Sequence, residues 1–261
     1  MTVRSQTFCA RDAFFTLLKK EIIRFKKVAF HTIAAPVLSS LLYLIVFGVA
    51  LQGRVPTDTQ TPYLDFLVPG LVMMAVMQNA FANSSSSFVQ SKISGTLTFL
   101  LVTPMGSTMI AAAYILSATL RGLIVGLCVL AGTAIWITPT LYSVGWIFSF
   151  ALLGAFIMAA LGLITAIWAD RYEQMGVIQT FFIMPLTFLS GVFYSCKALP
   201  NPWQDLTAFN PLYYLIDGFR GGFLGHFETN PFMASIWGIG ACALVFSVSI
   251  WLLKTGYKTK N

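Results

Sequence analysis

The chain has 261 residues, of which 57% are hydrophobic and only 10% charged, with a mean hydropathy of +0.79. An ordinary soluble domain carries about a quarter charged residues, so this much apolar surface excludes a water-soluble globule, and the 23 Phe, 6 Trp and 9 Tyr exclude a disordered chain. The formal charge of +7 does not indicate nucleic acid, because seven of the sixteen Lys and Arg precede residue 28, beside the first apolar run; that placement is a membrane-topology signal.

Residues 10–27 predict an amphipathic helix. Phe14, Leu17, Leu18, Ile22 and Phe25 share one face, Lys19, Lys20, Lys26 and Lys27 populate the other, and Arg24 lies at the margin. Such a helix is expected to lie on the inner leaflet with its lysines on anionic headgroups. Glu21 falls inside the apolar stripe and requires a partner; Arg171 is an intrachain candidate.

Six transmembrane spans are predicted, at about 28–51, 63–90, 108–137, 144–168, 175–195 and 232–253. Pro36 lies in the first. The second has a polar second half, in which Asn79, Asn83, Ser86 and Gln90 share a helical face. A linker follows, with a short helical turn ended by Pro104. Arg121 sits in the middle of the third span, and Pro185 interrupts the fifth. Residues 186–231 are too apolar for a water-exposed loop and too broken to span, and a re-entrant pair is expected at about 196–224. Asn201-Pro202 and Asn210-Pro211 each place a capping residue before a proline, predicting two short helices that form a re-entrant pair. The domain plan is a cytoplasmic N-terminus with the amphipathic helix (1–27), a transmembrane domain (28–253) and a cytoplasmic tail (254–261). The expected class is an all-α polytopic membrane protein. Twelve Lys and Arg on one side of such a bundle against three on the other place both termini in the cytoplasm.

Enzymatic signatures are missing. No Gly-Lys pair occurs, so the chain lacks a Walker phosphate loop. Gly238-Ile-Gly240 lies inside the sixth span without a preceding strand and reads as helix packing, as does Gly122-x-x-x-Gly126. Cys9, Cys128, Cys196 and Cys242 are far apart, and His31 and His226 are isolated, so no metal site is expected. Acids are scarce in the spans, with only Asp65 and Asp217 near them, at the outer side. Ion-coupled carriers generally need such acids or a broken-helix ion site. A transporter without an engine of its own draws on a partner. An ATPase-independent channel, secondary carrier or membrane scaffold is the other reading, and a Walker-type ATPase encoded beside the gene distinguishes the two.

The chain resembles the ABC-2 type exporter permeases. The order of elements matches: amphipathic N-terminal helix, six spans, cytoplasmic helix between spans 2 and 3, re-entrant pair between spans 5 and 6. So do Gly191, Phe193, Tyr194, Pro200, Asn210, Pro211, Tyr214 and Arg220 in the C-terminal half, the stretch Leu67–Leu71, and the segment from Gly95-Thr96-Leu97 through Leu100-Leu101 to Thr103-Pro104. The resemblance covers nearly the whole chain and is nearest to small bacterial YadH-like permeases and to nodulation-factor and drug exporter subunits. One departure is Thr98, where many members carry an acid. The resemblance implies a type V exporter-like fold and a homodimer with two separately encoded ATP-binding subunits. It implies export, or leaflet-to-leaflet movement, of an amphipathic substrate such as a lipid, lipid-linked glycan or drug across the bacterial inner membrane. No cofactor is expected in this chain, since the partner ATPase would bind ATP and Mg.

Three groups of site residues follow as expectations. The ATPase-coupling surface comprises Phe14, Leu17, Leu18, Glu21, Ile22 and Phe25 with Thr96, Leu97, Thr98, Leu100, Leu101 and Pro104. Asn79, Asn83, Ser86, Phe181, Phe182 and Phe188 border the translocation path, along with Arg121, which is either a structural ion-pair member or a pocket cation. Phe193, Tyr194, Trp203, Asn210, Pro211, Tyr214, Asp217 and Arg220 form an outer gate, in which Asp217 and Arg220 are close enough along the helix to pair.

Overall fold

The structure is a computed structural model and describes residues 10–51, 62–103, 105–137, 139–196 and 199–256. All regular elements among the described residues are helical: α1 (Ala10–Leu51), α2 (Tyr63–Ile93), α3 (Thr96–Val102), α4 (Ser107–Thr133), α5 (Val144–Trp168), α6 (Tyr172–Ile178), a π-helical turn (Gln179–Ile183), α7 (Met184–Phe188), α8 (Asn201–Ala208), α9 (Pro211–Leu224) and α10 (Pro231–Thr255). Five of them, α1, α2, α4, α5 and α10, are long and apolar enough to cross a membrane.

The amphipathic segment and the first span are one uninterrupted helix, not two. No Gly or Pro occurs in α1 before Pro36, and the apolar face of residues 14–25 packs on α4 and α2 within the protomer. Leu17 of that face is buried, while Phe14, Leu18, Ile22 and Phe25 are half-buried. Pro36 cannot donate to the preceding turn, and just before it the Thr32 hydroxyl bonds back to the Val28 carbonyl at 3.0 Å.

At the centre stands α2. It is buried along most of its length and packs on α5, α4, α9 and α1. The small residues of α4 let it approach α2: a Cβ at Gly122 would lie 2.7 Å from the Val76 carbonyl oxygen, in accord with the expected packing role. On α10 the expectation holds for Gly238, which faces Leu153 and Leu215, but not for Gly240, beside which there is open space.

The expected fifth span is shorter than predicted. Its helical run covers 172–188, about 25 Å at 1.5 Å per residue, and it is not among the five crossing helices. The π turn lies directly before Pro185, whose missing N–H disturbs the ordinary ladder, and Met184 N–H reaches back to the Gln179 carbonyl. The run ends because Gly191 turns the chain at φ 74°. Asn210 joins this end to the next helix. Its amide nitrogen donates to the Leu186 carbonyl at 2.7 Å, while its oxygen accepts from Leu212 N–H at the start of α9.

Helix α9, about 21 Å long, is wedged among α5, α2 and α10, with Leu212, Leu215, Ile216, Phe219 and Phe223 buried. Helix α8 lies outside it and exposes Trp203 and Leu206. The starts of α2, α5 and α10 and the end of α7 gather at this end of the bundle, tied by Ser143 N–H to the Gly222 carbonyl at 2.8 Å and by the Tyr63 hydroxyl to the Phe193 carbonyl at 2.9 Å. At the opposite end, Lys92 donates to the carbonyls of Ile167 and Ala169 and pairs with Asp170 at 3.2 Å. Lys197, Arg54, the N-terminal nine residues and the last five lie outside the described residues.

Candidate functional site

The polar half of α2 splits into two environments. Gln78 and Asn79 face a cavity of about 300 Å³ between α1, α2 and the π turn. Its polar lining comes from Ser39 and Ser40 of α1 and Gln179 of the π turn, and Pro36 and Tyr43 complete the α1 wall. The Asn79 amide nitrogen is held by the Ala75 carbonyl at 3.0 Å, which leaves its oxygen as an acceptor. Gln179, Ser39 and Ser40 were missed as site residues in the sequence. The available signal was the single amide of Gln179 in an otherwise apolar run. Phe181 and Phe182, on the same π turn, are exposed. Phe188 is not in this cavity; it stacks on Phe193 at 5.3 Å, with Phe47 4.8 Å from Phe193 on the other side.

One turn further along α2 the polar groups are consumed inside the protomer. Asn83 accepts at one oxygen from both Arg121 of α4, at 2.6 Å, and Arg24 of α1, at 3.1 Å. Arg24 also donates to Gln90 at 2.8 Å and pairs with Glu21 at 3.5 Å. Ser87 donates to the Glu21 carboxylate, which is buried, so Arg171 is not the partner of Glu21. Phe25 lies under the Arg121 guanidinium at 5.2 Å. Among the described residues Arg121 therefore makes no ion pair and lines no cavity. It is a buried cation held by an amide oxygen and an aromatic face, which lowers the cost of its place in the span. Ser86 bonds to the Asn83 carbonyl at 3.3 Å and is half-buried.

Of the expected coupling surface, Leu17 and Glu21 are buried and Phe14, Leu18, Ile22 and Phe25 half-buried, Phe14 against the core and Phe25 against Arg121. The exposed apolar part lies on α3. Leu97 anchors that helix in the core, Thr96 bonds Ser94, Leu100 is half-buried, and Thr98, Phe99 and Val102 are exposed, Phe99 at 77% and Val102 at 83%. Pro104 and the Leu101 side chain lie outside the described residues.

At the other end, Asp217 and Arg220 do not pair. The Asp217 carboxylate accepts from the backbone N–H groups of Glu228 and Thr229 and from the Thr229 hydroxyl, at 3.1, 2.8 and 2.6 Å. Arg220 points the opposite way, donating to the Gly191 carbonyl at 2.6 Å with its guanidinium 3.6 Å from the Phe66 ring centroid. Glu228 accepts from Ser195 and Tyr213 and so joins the loop before α10 to the loop after α7. Burial pushes the Cys196 thiol in that loop up to about 12, with the nearby Glu228 carboxylate adding to the shift. Pro211 opens α9, and the Tyr214 hydroxyl bonds the Ala208 carbonyl. Phe193 is buried, Tyr194 half-buried, and Trp203 exposed.

The bundle thus carries a cavity of mixed lining between its long helices, a short exposed helix at one end and two short helices at the other. The ABC-2 type transporter family matches over residues 12–224. The inner membrane transport permease YadH of Escherichia coli strain K12 is 38% identical over 206 residues, covering 79% of this chain and 80% of the relative. Nodulation protein J of Rhizobium meliloti strain 1021 is 28% identical over 214 residues, 79% of each chain. Nodulation protein J of Rhizobium leguminosarum bv. trifolii is 29% identical over 217 residues, 80% of each. With the match spanning most of its length and five helices among the described residues long and apolar enough to cross a membrane, the chain belongs to the ABC-2 type transporter family and is a transmembrane transport permease.

Proposed function

We propose that the chain is the membrane subunit of an ATP-driven exporter of the bacterial inner membrane, working as a homodimer with two copies of a separate ATP-binding subunit. The observation that carries this reading is the cavity between α1, α2 and the π turn, which sets the amides of Gln78, Asn79 and Gln179 beside apolar helix surface. A mixed wall of that kind suits an amphipathic substrate, whose polar head needs hydrogen bonds while its tail needs apolar contact. A second protomer closing over the exposed Phe181 and Phe182 would complete the path.

The substrate class is a lipid, lipid-linked glycan or drug. Both termini are cytoplasmic in this reading, because the Lys- and Arg-rich end faces the cytoplasm. Helix α3 is the ATPase-docking element, with Phe99 and Val102 as the apolar contacts. The hairpin of α8 and α9 is a re-entrant pair that closes the outer exit. The test is co-expression of the tagged permease with a candidate Walker-type ATPase and assay of the purified membrane fraction for ATP hydrolysis. Recovery of an active complex is expected. An ATPase that is never retained by the native permease would remove the reading.

A further inference from the structure

Five of the chain's cations lie within residues 19–27, and the structure sorts them. Glu21, the one acid among them, is turned inward and buried against Ser87, and Arg24 is held by Glu21, Gln90 and Asn83. Behind Arg24 stands Arg121, which shares the Asn83 oxygen, makes no ion pair among the described residues, and has a buried Nε without a hydrogen-bond partner. The cluster thus sets the guanidiniums of half-buried Arg24 and buried Arg121 against the single carboxylate of Glu21. It retains an excess positive charge on the side from which α1 faces outward.

On that outward side a shallow, open groove runs between side chains of α1 alone, lined by Thr16, Lys19, Lys20, Ile23, Arg24 and Lys27. It contains no acid. Lys19 and Lys27 are exposed, Lys20 reaches Glu21 only at 3.6 Å, and Ile23 supplies an exposed apolar floor. Position along the bundle matters as much as charge. Arg24 bonds Gln90, and two residues later Lys92 is fixed to the end of α5, so the groove sits at the rim of the membrane-crossing region. The helical stripe of Lys20, Ile23 and Lys27 continues into Phe30, Leu38 and Leu42, exposed at 79%, 61% and 61%. Cations followed along one face by apolar side chains reproduce, in order, the headgroup and acyl chain of a lipid.

We propose that this face of α1 is a binding site for an anionic phospholipid, with the phosphate in the groove of Lys19, Lys20, Arg24 and Lys27 and an acyl chain along Phe30 and Leu38. The site rests on the proposed topology, which puts this rim at the cytoplasmic leaflet, and not on the identity of the transported substrate. An anion there offsets the charge left over from Arg24 and Arg121, and steadies the helix turn that ties α1 to α2.

The experiment is reconstitution of the full chain into vesicles of equal phosphatidylglycerol and phosphatidylcholine, mild detergent extraction, and native mass spectrometry of the retained lipid. The native chain retains phosphatidylglycerol in preference to phosphatidylcholine. The variant Lys19→Gln/Lys20→Gln/Lys27→Gln lowers that retention by roughly tenfold or more, since each cation near a charged headgroup contributes measurably. Lys254→Gln, an exposed cation in the last turn of α10, leaves it unchanged. Equal retention of the two lipids, or an unaltered profile in the triple variant, overturns the site. So does displacement of the lipid by inorganic phosphate alone, which would identify a soluble-anion site. Loss of a co-purifying ATPase from the triple variant with phosphatidylglycerol still bound also overturns it, by making the groove a protein contact. A chain that selects phosphatidylglycerol yet recruits no ATPase supports the lipid site while removing the transporter reading.

Discussion

Arg121 and Asn83 stand 2.6 Å apart across α4 and α2, and the same Asn83 oxygen accepts from Arg24 of α1 at 3.1 Å. One amide thereby holds three helices together and supplies the acceptor for two charges. Asn83→Leu takes from Arg121 its hydrogen-bond acceptor, a loss that costs about 1.5–3 kcal/mol for a charged group, while Arg24 keeps Gln90 and Glu21. The variant is expected to melt well below the native protein in detergent, and Asn83→Asp, which keeps the acceptor, is expected to recover most of the loss. Equal thermal stability of Asn83→Leu and the native chain would show that the cluster holds nothing.

Docking is expected to depend on α3 and not on the inward face of α1. Phe99→Asp/Val102→Asp should abolish co-purification of the ATPase while the permease stays inserted, because both side chains are exposed and support no core contact. Leu97→Asp should instead destabilise the permease itself, since Leu97 is 4% exposed. Undiminished ATPase capture by the double variant would move the contact elsewhere.

The cavity and the cluster on α2 give opposite crosslinking outcomes. A photoreactive residue at position 79 should capture transported lipid or a second copy of the chain. The same probe at position 83 should give only products within one protomer, on α1 or α4, as its neighbours are Arg24 and Arg121. Interprotomer adducts from 83 together with none from 79 would invert this assignment.

The outer network predicts the behaviour of Cys196. Only the thiolate reacts with maleimide, and a thiol pushed up to about 12 is almost wholly protonated at neutral pH. The labelling rate should therefore rise about tenfold per pH unit from 7 to 9 without levelling, whereas an unperturbed thiol near 8.5 begins to level in that range. Arg220→Met removes the donor to the Gly191 carbonyl and the contact with Phe66. Because the Arg220 charge holds the Cys196 thiol down against its burial, the variant should push the thiol up further and slow its labelling at neutral pH. A rate that is already fast and flat with pH in the native chain would contradict the burial of this loop.

The helical class and the crossing segments were legible because apolar runs, prolines and capping pairs act locally. Asn210 before Pro211 announced the start of α9, and its side chain caps that helix as expected, whereas Asn201 lies inside α8, which begins after Pro200 without a side-chain cap. What the sequence concealed was set by partners distant in the chain. The apolar face of residues 14–25 signalled burial but not against what: Phe25 lies under Arg121 of α4, and Glu21 in the same stripe meets Ser87 of α2. Spacing alone allowed Asp217 and Arg220 to pair, yet each found a better partner across a loop, Thr229 for the acid and Gly191 for the cation. Asn79 and Asn83 share a helical face, but only tertiary packing separates an amide facing a cavity from one enclosed by arginines. The fifth span was overestimated because Leu189 to Tyr194 is apolar enough to continue a helix, while the left-handed turn at Gly191 ends it.

The most direct measurement of the central claim is the native mass of the complex purified from membranes through a tag on this chain alone, after co-expression with its ATPase. Two permease copies with two ATPase copies, dissociating into intact permease when Phe99 and Val102 are replaced by Asp, is the predicted result. A permease that runs without any ATP-binding subunit, at whatever copy number, while the ATPase is present and folded in the same cells, would contradict it.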